Sequence, residues 1–251
     1  MSALSDRERE IYQRQLVLPS WGEETQARLK SSTVFVAGAG GLGSAAILYL
    51  AAAGVGRLRV CDRDRVELSN LNRQVLHSER GLGARKALSA RKAVGRLNRH
   101  VKVTPLASEI TRENVEELVA GADLILDCLD NVPARLIINE LAVRARLPLV
   151  HAGVRGLSGQ LTFVHPPETA CLACFMGDAA ASEPADSEDP PPILGAVAGV
   201  MGCLQALEAV KYLTGIGAAA KNRIIFWDGE LMEFEEVKIG RNPACPVCGK
   251  R

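Results

Sequence analysis

Along the chain, short apolar runs alternate with longer segments whose apolar positions recur at helical spacing. Residues 5–31 read as polar helical segments broken near Pro19 and Gly22. Thr33–Ala37 is a β-branched apolar run of the kind that forms a buried parallel strand. Ser44–Ala53, rich in alanine and leucine, predicts a helix stopped by Gly54, and Arg57–Cys61 predicts the next strand. The alternation continues with helices over Ala84–Leu97, Arg112–Val119 and Pro133–Ala145. Strands are predicted over Val101–Leu106, Leu124–Asp127 and Leu149–Ala152. Repeated βα units imply a parallel sheet covered on both faces.

After Gly156 the pattern changes. Gln160–His165 alternates polar and apolar, as in an antiparallel strand with one solvated face, and Ile224–Trp227 and Glu233–Ile239 read as closing strands. The predicted fold class is therefore α/β: a doubly wound mixed sheet, parallel in its N-terminal part and antiparallel at its C-terminal end. Residues 177–192, GDAAASEPADSEDPPP, are acidic and proline-rich without apolar periodicity, which predicts a mobile crossover loop. Leu194–Leu213 follows as a long buried helix. Its Gln205, Glu208 and Lys211 argue against a membrane span, and Gly195, Gly199 and Gly202 would let it approach its neighbours closely.

Composition narrows the function classes. The 251 residues, 47% hydrophobic and 24% charged, suit one large α/β domain or two small ones and exclude a fibrous or largely disordered chain. A formal net charge of +1 argues against a nucleic-acid binder with a broad basic face. Seven cysteines is an odd number and the first ten residues, MSALSDRERE, are polar. Both facts point away from a secreted disulfide framework and toward thiols or metal ligands in a reducing, cytoplasmic setting.

Gly38-x-Gly40-x-x-Gly43 follows the first strand and opens a helix, the arrangement of a Rossmann-like nucleotide turn. Its glycines permit the tight turn, the close approach of backbone to phosphate, and close helix–strand packing, while the helix N-terminus favours an anion. Asp62 lies where a carboxylate could hold ribose hydroxyls. This spacing alone does not separate NAD from ATP. Ser69-Asn70-Leu71-Asn72-Arg73-Gln74 is too polar for a core, and its arginine and amides suit phosphate or ribose oxygens. Lys86, near a helix start, could reach a triphosphate. Asp130 and Asn131 end a strand where α/β sites collect ligands. There a carboxylate can hold Mg²⁺, and the same pair can equally serve as a helix cap before Pro133.

Cys171-Leu-Ala-Cys174 and Cys245-Pro-Val-Cys248 are two C-x-x-C pairs, each able to grip one metal through two thiolates. Both sit in turn-like contexts outside the βα core, which favours a shared structural Zn²⁺ over redox or disulfide chemistry. The fold must bring the distant pairs together. Cys61, Cys128 and Cys203 lie in apolar segments and read as small buried hydrophobes.

Taken in order, Tyr12-Gln-Arg14-Gln15, Gly38-Ala-Gly-Gly-Leu-Gly43, Ser69 to Gln74, Leu126-Asp-Cys-Leu-Asp-Asn131, Gly159-Gln160, the two cysteine pairs and Gly199 to Glu208 resemble the ThiF/MoeB/HesA family. These are prokaryotic E1-like enzymes that activate ubiquitin-like sulfur-carrier proteins. The resemblance implies one adenylation domain over residues 1–251. Its nucleotide-binding core would be residues 33–154, and its carrier-binding and zinc part residues 155–251, with the crossover loop at 177–192. It implies that ATP·Mg²⁺ is used to attach AMP to the C-terminal glycine of a small carrier ending in Gly-Gly, with release of pyrophosphate. Gly41 would lie against the nucleotide and Asp62 would hold the ribose. Asn70, Arg73 and Lys86 would contact phosphates, and Asp130 would ligate Mg²⁺. Arg14 would reach the partner subunit's ATP in a homodimer. Many members carry a cysteine just before the glycine-rich helix; Ser187–Gly195 has none, so the implied activity is adenylation without a covalent step on this loop. The competing readings are an NAD-dependent dehydrogenase, E1-like activation of a peptide C-terminus or a tRNA base, and a non-enzymatic scaffold.

Overall fold

The computed structural model of the protein describes residues 3–176 and 192–249, so the acidic crossover loop expected at 177–192 lies, except for Pro192, outside the described residues. The chain opens with three short helices, α1 (Asp6–Ile11), α2 (Gln13–Leu16) and α3 (Gly22–Ser31). The alternation then runs β1 (Thr33–Ala37), α4 (Gly41–Ala53), β2 (Arg57–Cys61), α5 (Lys86–Leu97), β3 (Lys102–Leu106), α6 (Val115–Val119), β4 (Leu124–Asp127), α7 (Val132–Ala145) and β5 (Leu149–Arg155). The C-terminal part adds β6 (Ser158–Val164), α8 (Leu172–Met176), α9 (Gly195–Thr214), β7 (Arg223–Asp228) and β8 (Glu233–Lys238). All eight strands form one sheet in the order β3-β2-β1-β4-β5-β6-β7-β8. β3 to β5 pair in parallel, and β6, β7 and β8 are added antiparallel.

The expected strands lie close to where the pattern placed them, because β1 and β4 are buried on both faces and are apolar apart from Thr33 at the start of one and Asp127 at the end of the other. The expected helix Arg112–Val119 is cut to α6 because Asn114 Oδ1 accepts from the Thr111 amide, closing a turn where helix was expected. β5 and β6 run further than predicted and join through Gly156, whose φ of +60° makes a tight hairpin. α4 begins at Gly41, three residues earlier than Ser44, and ends on left-handed Gly54. A Cβ at Gly54 would lie 2.6 Å from the Tyr12 ring, so this tyrosine of the N-terminal motif packs under the helix end.

Each face of the sheet has its own core. One cluster joins β1 (Val34, Val36) to α4 (Ile47, Leu50) and α9 (Val197, Met201). The other joins β1 (Phe35) and β4 (Ile125) to α7 (Ile138, Leu141) and α8 (Leu172). α9 is long and apolar enough to cross a membrane by composition, with a mean hydropathy of 1.3, yet it packs against α4 and the sheet. Two of its glycines act as expected. A Cβ at Gly202 would overlap the Leu42 carbonyl, and one at Gly195 would overlap the Asn72 carbonyl. Gly199 differs from expectation: nothing lies within 4 Å of where its Cβ would stand.

Candidate functional site

The chain leaves β1 toward β2 and β3 on one side, then returns through β4 on the other side of β1. That reversal opens a crevice beyond the carboxyl ends of β1 and β4, the place where open α/β sheets bind ligands. The glycine turn enters it from β1. Gly38 has φ of +96°, and a Cβ there would lie 2.6 Å from the Cys128 carbonyl oxygen at the end of β4. A side chain at Gly43 would overlap the Gly38 carbonyl. Gly40 is the N-cap of α4 and no side chain caps the helix, so its first amides are left for an anion. Gly41 packs near Arg73 and Ala198.

Beside this turn is a cleft of about 430 Å³ lined by Asp64, Arg65, Glu67, Asn70, Arg73, Gln74, Lys86 and Asp130. Asn70, Arg73, Gln74, Lys86 and Asp130, singled out from the sequence, thus come together. Asn70 Oδ1 accepts from the Glu67 amide and shapes the turn of 3-10 helix at Leu68–Asn70. Arg73 Nη1 donates to the Ser69 carbonyl (2.9 Å) and to Asn72 Oδ1 (3.1 Å), so Ser69 and Asn72 orient the guanidinium. Gln74 is buried, and its Oε1 has no hydrogen-bond partner. A buried acceptor without a partner beside an open cleft is a place for a ligand donor. Lys86, also buried, begins α5 and holds Nζ 2.8 Å from Asp64 Oδ2.

Asp62, Asn131 and Arg14 are not among the residues that line the cleft. Asp62 Oδ2 accepts from the Ala39 amide and Oδ1 from the Asp64 amide, each at 2.8 Å, so it braces the glycine turn. Asn131 is the N-cap of α7, its Oδ1 accepting from Ala134, with Pro133 in the first turn, while its neighbour Asp130 lines the cleft. Arg14 is exposed on α2, outside the cleft.

Sequence reasoning missed Asp64, Arg65 and Glu67, which line the cleft from the segment after β2. The second acid of Asp62-Arg-Asp64 was the available signal. It also missed His77, which is buried with Nε2 2.9 Å from the Ala39 carbonyl and Nδ1 2.9 Å from Ser89 Oγ. A carbonyl only accepts, so Nε2 carries the proton and Nδ1 accepts from the hydroxyl. Burial lowers the His77 pKa, in keeping with this neutral ring. His77 thereby ties the glycine turn to α5.

A second cluster lies on the opposite face of the sheet. Cys171, Cys174, Cys245 and Cys248 place their sulfurs within 4.8 Å of one another. The Sγ separations are 4.0 Å (Cys171–Cys174), 3.7 Å (Cys171–Cys245) and 3.3 Å (Cys174–Cys248). A tetrahedral ion with metal–sulfur bonds near 2.3 Å spaces its ligands by about 3.8 Å, so these thiols could hold zinc. Burial pushes the Cys245 thiol up, but the amides of Cys248 and Val247 aim at its sulfur and bring it down to about 7. Both pairs were expected in turn-like contexts, but Cys174 of the first pair sits within α8. Asn139 Oδ1 accepts from the Leu172 amide at 2.9 Å and fastens this short helix to α7. Cys61 and Cys128 are buried, and burial pushes Cys61 up to about 12 and Cys128 well up. Cys203 is only half-buried, less than its apolar setting implied.

The ThiF family model matches residues 12–247. The chain is 43% identical over 241 residues to the SAMP-activating enzyme E1 of Haloferax volcanii, across 95% of this chain and 88% of that protein. It is 40% identical over 255 residues to the molybdopterin-synthase adenylyltransferase of Escherichia coli K12, across 100% of both. A crystal structure of Escherichia coli MccB with ATP superposes with a TM-score of 0.81 at 26% identity, covering 90% of this chain and 68% of that one.

Proposed function

The chain belongs to the ThiF family, and we infer from its site that it is an E1-like adenylyltransferase acting on the C-terminal carboxylate of a small sulfur-carrier protein. The observation that carries this reading is one cleft at the β1/β4 switch point. Beside an uncapped helix N-terminus, it joins three cations (Arg65, Arg73 and Lys86) and three carboxylates (Asp64, Glu67 and Asp130).

In the reaction, a carboxylate oxygen of the carrier's last residue bonds to the α-phosphorus of ATP. The bond from that phosphorus to the bridging oxygen breaks, and pyrophosphate leaves with the electron pair. No protein group need become covalently attached, so the chain contributes alignment and charge stabilisation. The amides at the start of α4 and the side chains of Asn70 and Gln74 bind nucleotide oxygens. Arg73 and Lys86 offset the negative charge that grows on the phosphates. Asp62 serves the ribose through its lone pairs not used by the glycine turn.

Asp130 suits Mg²⁺: it is a hard oxygen donor that makes no ion pair among the described residues. When bound, Mg²⁺ supplies neutralisation of the triphosphate and leaving pyrophosphate. The four thiolates suit a closed, structural Zn²⁺ site. Arg14 suits a role across a homodimer. It is exposed and lies near exposed Ile11 (46%), Val17 (74%) and Leu18 (50%), an apolar setting for a second copy. Sulfur would be delivered by another protein to the finished acyl-adenylate.

The test is ATP–pyrophosphate exchange against a panel of small carriers ending in Gly-Gly. Exchange stimulated by one carrier, and lost when its terminal glycine is removed, is the expected result. Likeness to the structure of the microcin C7 biosynthetic enzyme MccB in complex with N-formylated MccA, with a TM-score of 0.80 at 25% identity, favours a second reading, activation of a carboxylate or amide other than a sulfur carrier's, such as that of a peptide. Exchange driven by short peptides and not by any carrier would select it.

A further inference from the structure

Behind the cleft, under Asp130, is a buried polar cluster built from β4, β5 and α7. Asp127 ends β4 and is fully buried, yet it is charged. Burial would raise its pKa, but Arg135 and His151 hold it below the ordinary carboxylate value. Its Oδ2 accepts from Arg135 Nε (3.0 Å) and from His151 Nδ1 (2.7 Å). Its Oδ1 accepts from the Leu129 amide (3.1 Å), and Arg135 Nη2 donates to the Leu129 carbonyl (2.6 Å). Both polar groups of Leu129, the residue before Asp130, are therefore clamped by one ion pair. The Asp127 backbone is held as well, since Gln205 Nε2 from α9 donates to the Asp127 carbonyl (2.7 Å) and to the Val150 carbonyl (3.2 Å). Burial keeps His151 neutral, and its Nε2 faces Gln160 Nε2 of β6 at 3.4 Å.

An ion pair this deep is costly to desolvate and is weak evidence for stability by itself. The cluster makes physical sense as a fixture for the loop it grips. Asp130 itself is exposed and touches no side chain that would hold it, so its position follows from the Leu129 peptide. We propose that Arg135 and His151, acting through Asp127, are positioning residues that set Asp130 as a divalent-cation ligand. This rests on the reading of Asp130 as the Mg²⁺ ligand. Outer partners of metal ligands typically govern about 10–100-fold in metal affinity.

The experiment is calorimetric binding of a non-hydrolysable ATP analogue to the full chain at a series of Mg²⁺ concentrations, with thermal midpoint followed in parallel. Arg135→Lys keeps the charge beside Asp127 but cannot span both Asp127 and the Leu129 carbonyl. His151→Ala removes the second donor, whereas His151→Asn offers an N–H where Nδ1 stands. Arg135→Lys and His151→Ala are expected to raise the half-saturating Mg²⁺ concentration by about tenfold, and His151→Asn to recover most of that loss. Asp130→Asn must raise it too. If Asp130→Asn does so while folded Arg135→Lys and His151→Ala lose only thermal midpoint, the positioning role is overturned and the reading of Asp130 survives. If Asp130→Asn leaves the Mg²⁺ dependence unmoved, the reading of Asp130 fails and the inference fails with it. Should Arg135→Lys not fold, the two His151 variants decide.

Discussion

Lys86 Nζ lies 2.8 Å from Asp64 Oδ2, and both side chains line the nucleotide cleft. The contact extends to the backbone, where the Lys86 amide donates to the Asp64 carbonyl at 2.9 Å. Asp64 thus fixes the start of α5 and aims its first side chain. The ammonium is buried and paired, and a phosphate entering the cleft would compete with Asp64 for it. Replacing Lys86 by Met removes a cation from the developing charge. Exchange is expected to fall about 10²–10³-fold, while circular dichroism and thermal midpoint show the chain still folded. Unchanged exchange in a folded Lys86→Met would remove this lysine from the mechanism.

Two glycines of α9 give opposite stability outcomes. At Gly202 an added Cβ would overlap the Leu42 carbonyl of α4, so Gly202→Ala is expected to destabilise by about 1–3 kcal/mol through overpacking. At Gly199 the same Cβ meets open space within a helix, so Gly199→Ala is expected to stabilise by about 0.5–1 kcal/mol. Urea denaturation midpoints measure both. Equal effects of one sign would contradict this packing of α9 on α4.

These glycines also show how far the sequence could be read. The run from Gly195 to Thr214 announced a buried glycine-rich helix, but only the fold tells which glycines meet a backbone, because that depends on where α4 lies. The same holds at the cleft. Asn70, Arg73, Gln74, Lys86 and Asp130 were legible because charged and amide side chains clustered after strand ends are unusual in a core. His151 and Arg135 were not, because their partner Asp127 is brought to them by strand pairing and helix packing. The four cysteines were legible as two pairs suited to one shared site, but with 70 residues between Cys174 and Cys245 only the fold shows that the pairs meet. The shortening of α6 turned on a single side chain, Asn114, which periodicity does not register.

The cysteine cluster gives a compositional test. The purified chain is expected to hold one zinc per copy by plasma mass spectrometry, and Cys248→Ser to lose it. A metal that binds only the folded chain stabilises it by mass action, about 3 kcal/mol at a hundredfold excess over the dissociation constant. Its loss is expected to lower the thermal midpoint by roughly 6–12 °C for a domain of this size. A metal-free parent chain with an unshifted Cys248→Ser midpoint would leave the cluster as packing.

At the N-terminus, Glu8 caps α1 with Ser5, and its Oε2 lies 2.8 Å from Lys30 Nζ. Burial would raise this carboxyl, but the hydrogen bonds from Lys30 and Ser5 bring its pKa from 4.5 down to about 2. A carboxyl lowered on folding stabilises the protein above its unfolded pKa and loses that contribution as pH falls through the folded one. The stability difference between the parent and Glu8→Gln is therefore expected to be complete near neutral pH and to shrink between pH 4.5 and about 2. Denaturant unfolding at several pH values checks it, and a difference constant down to the lower limit would contradict the assignment.

Carrier-dependent adenylation is tested most directly by ATP–pyrophosphate exchange with the full chain and a panel of small carrier proteins. The expected result is exchange that requires Mg²⁺, is stimulated by one carrier, and disappears both when that carrier's C-terminal glycine is deleted and when Asp130 is replaced by Ala. Exchange that ignores the carrier's terminal glycine, or that persists undiminished in Asp130→Ala, would contradict it.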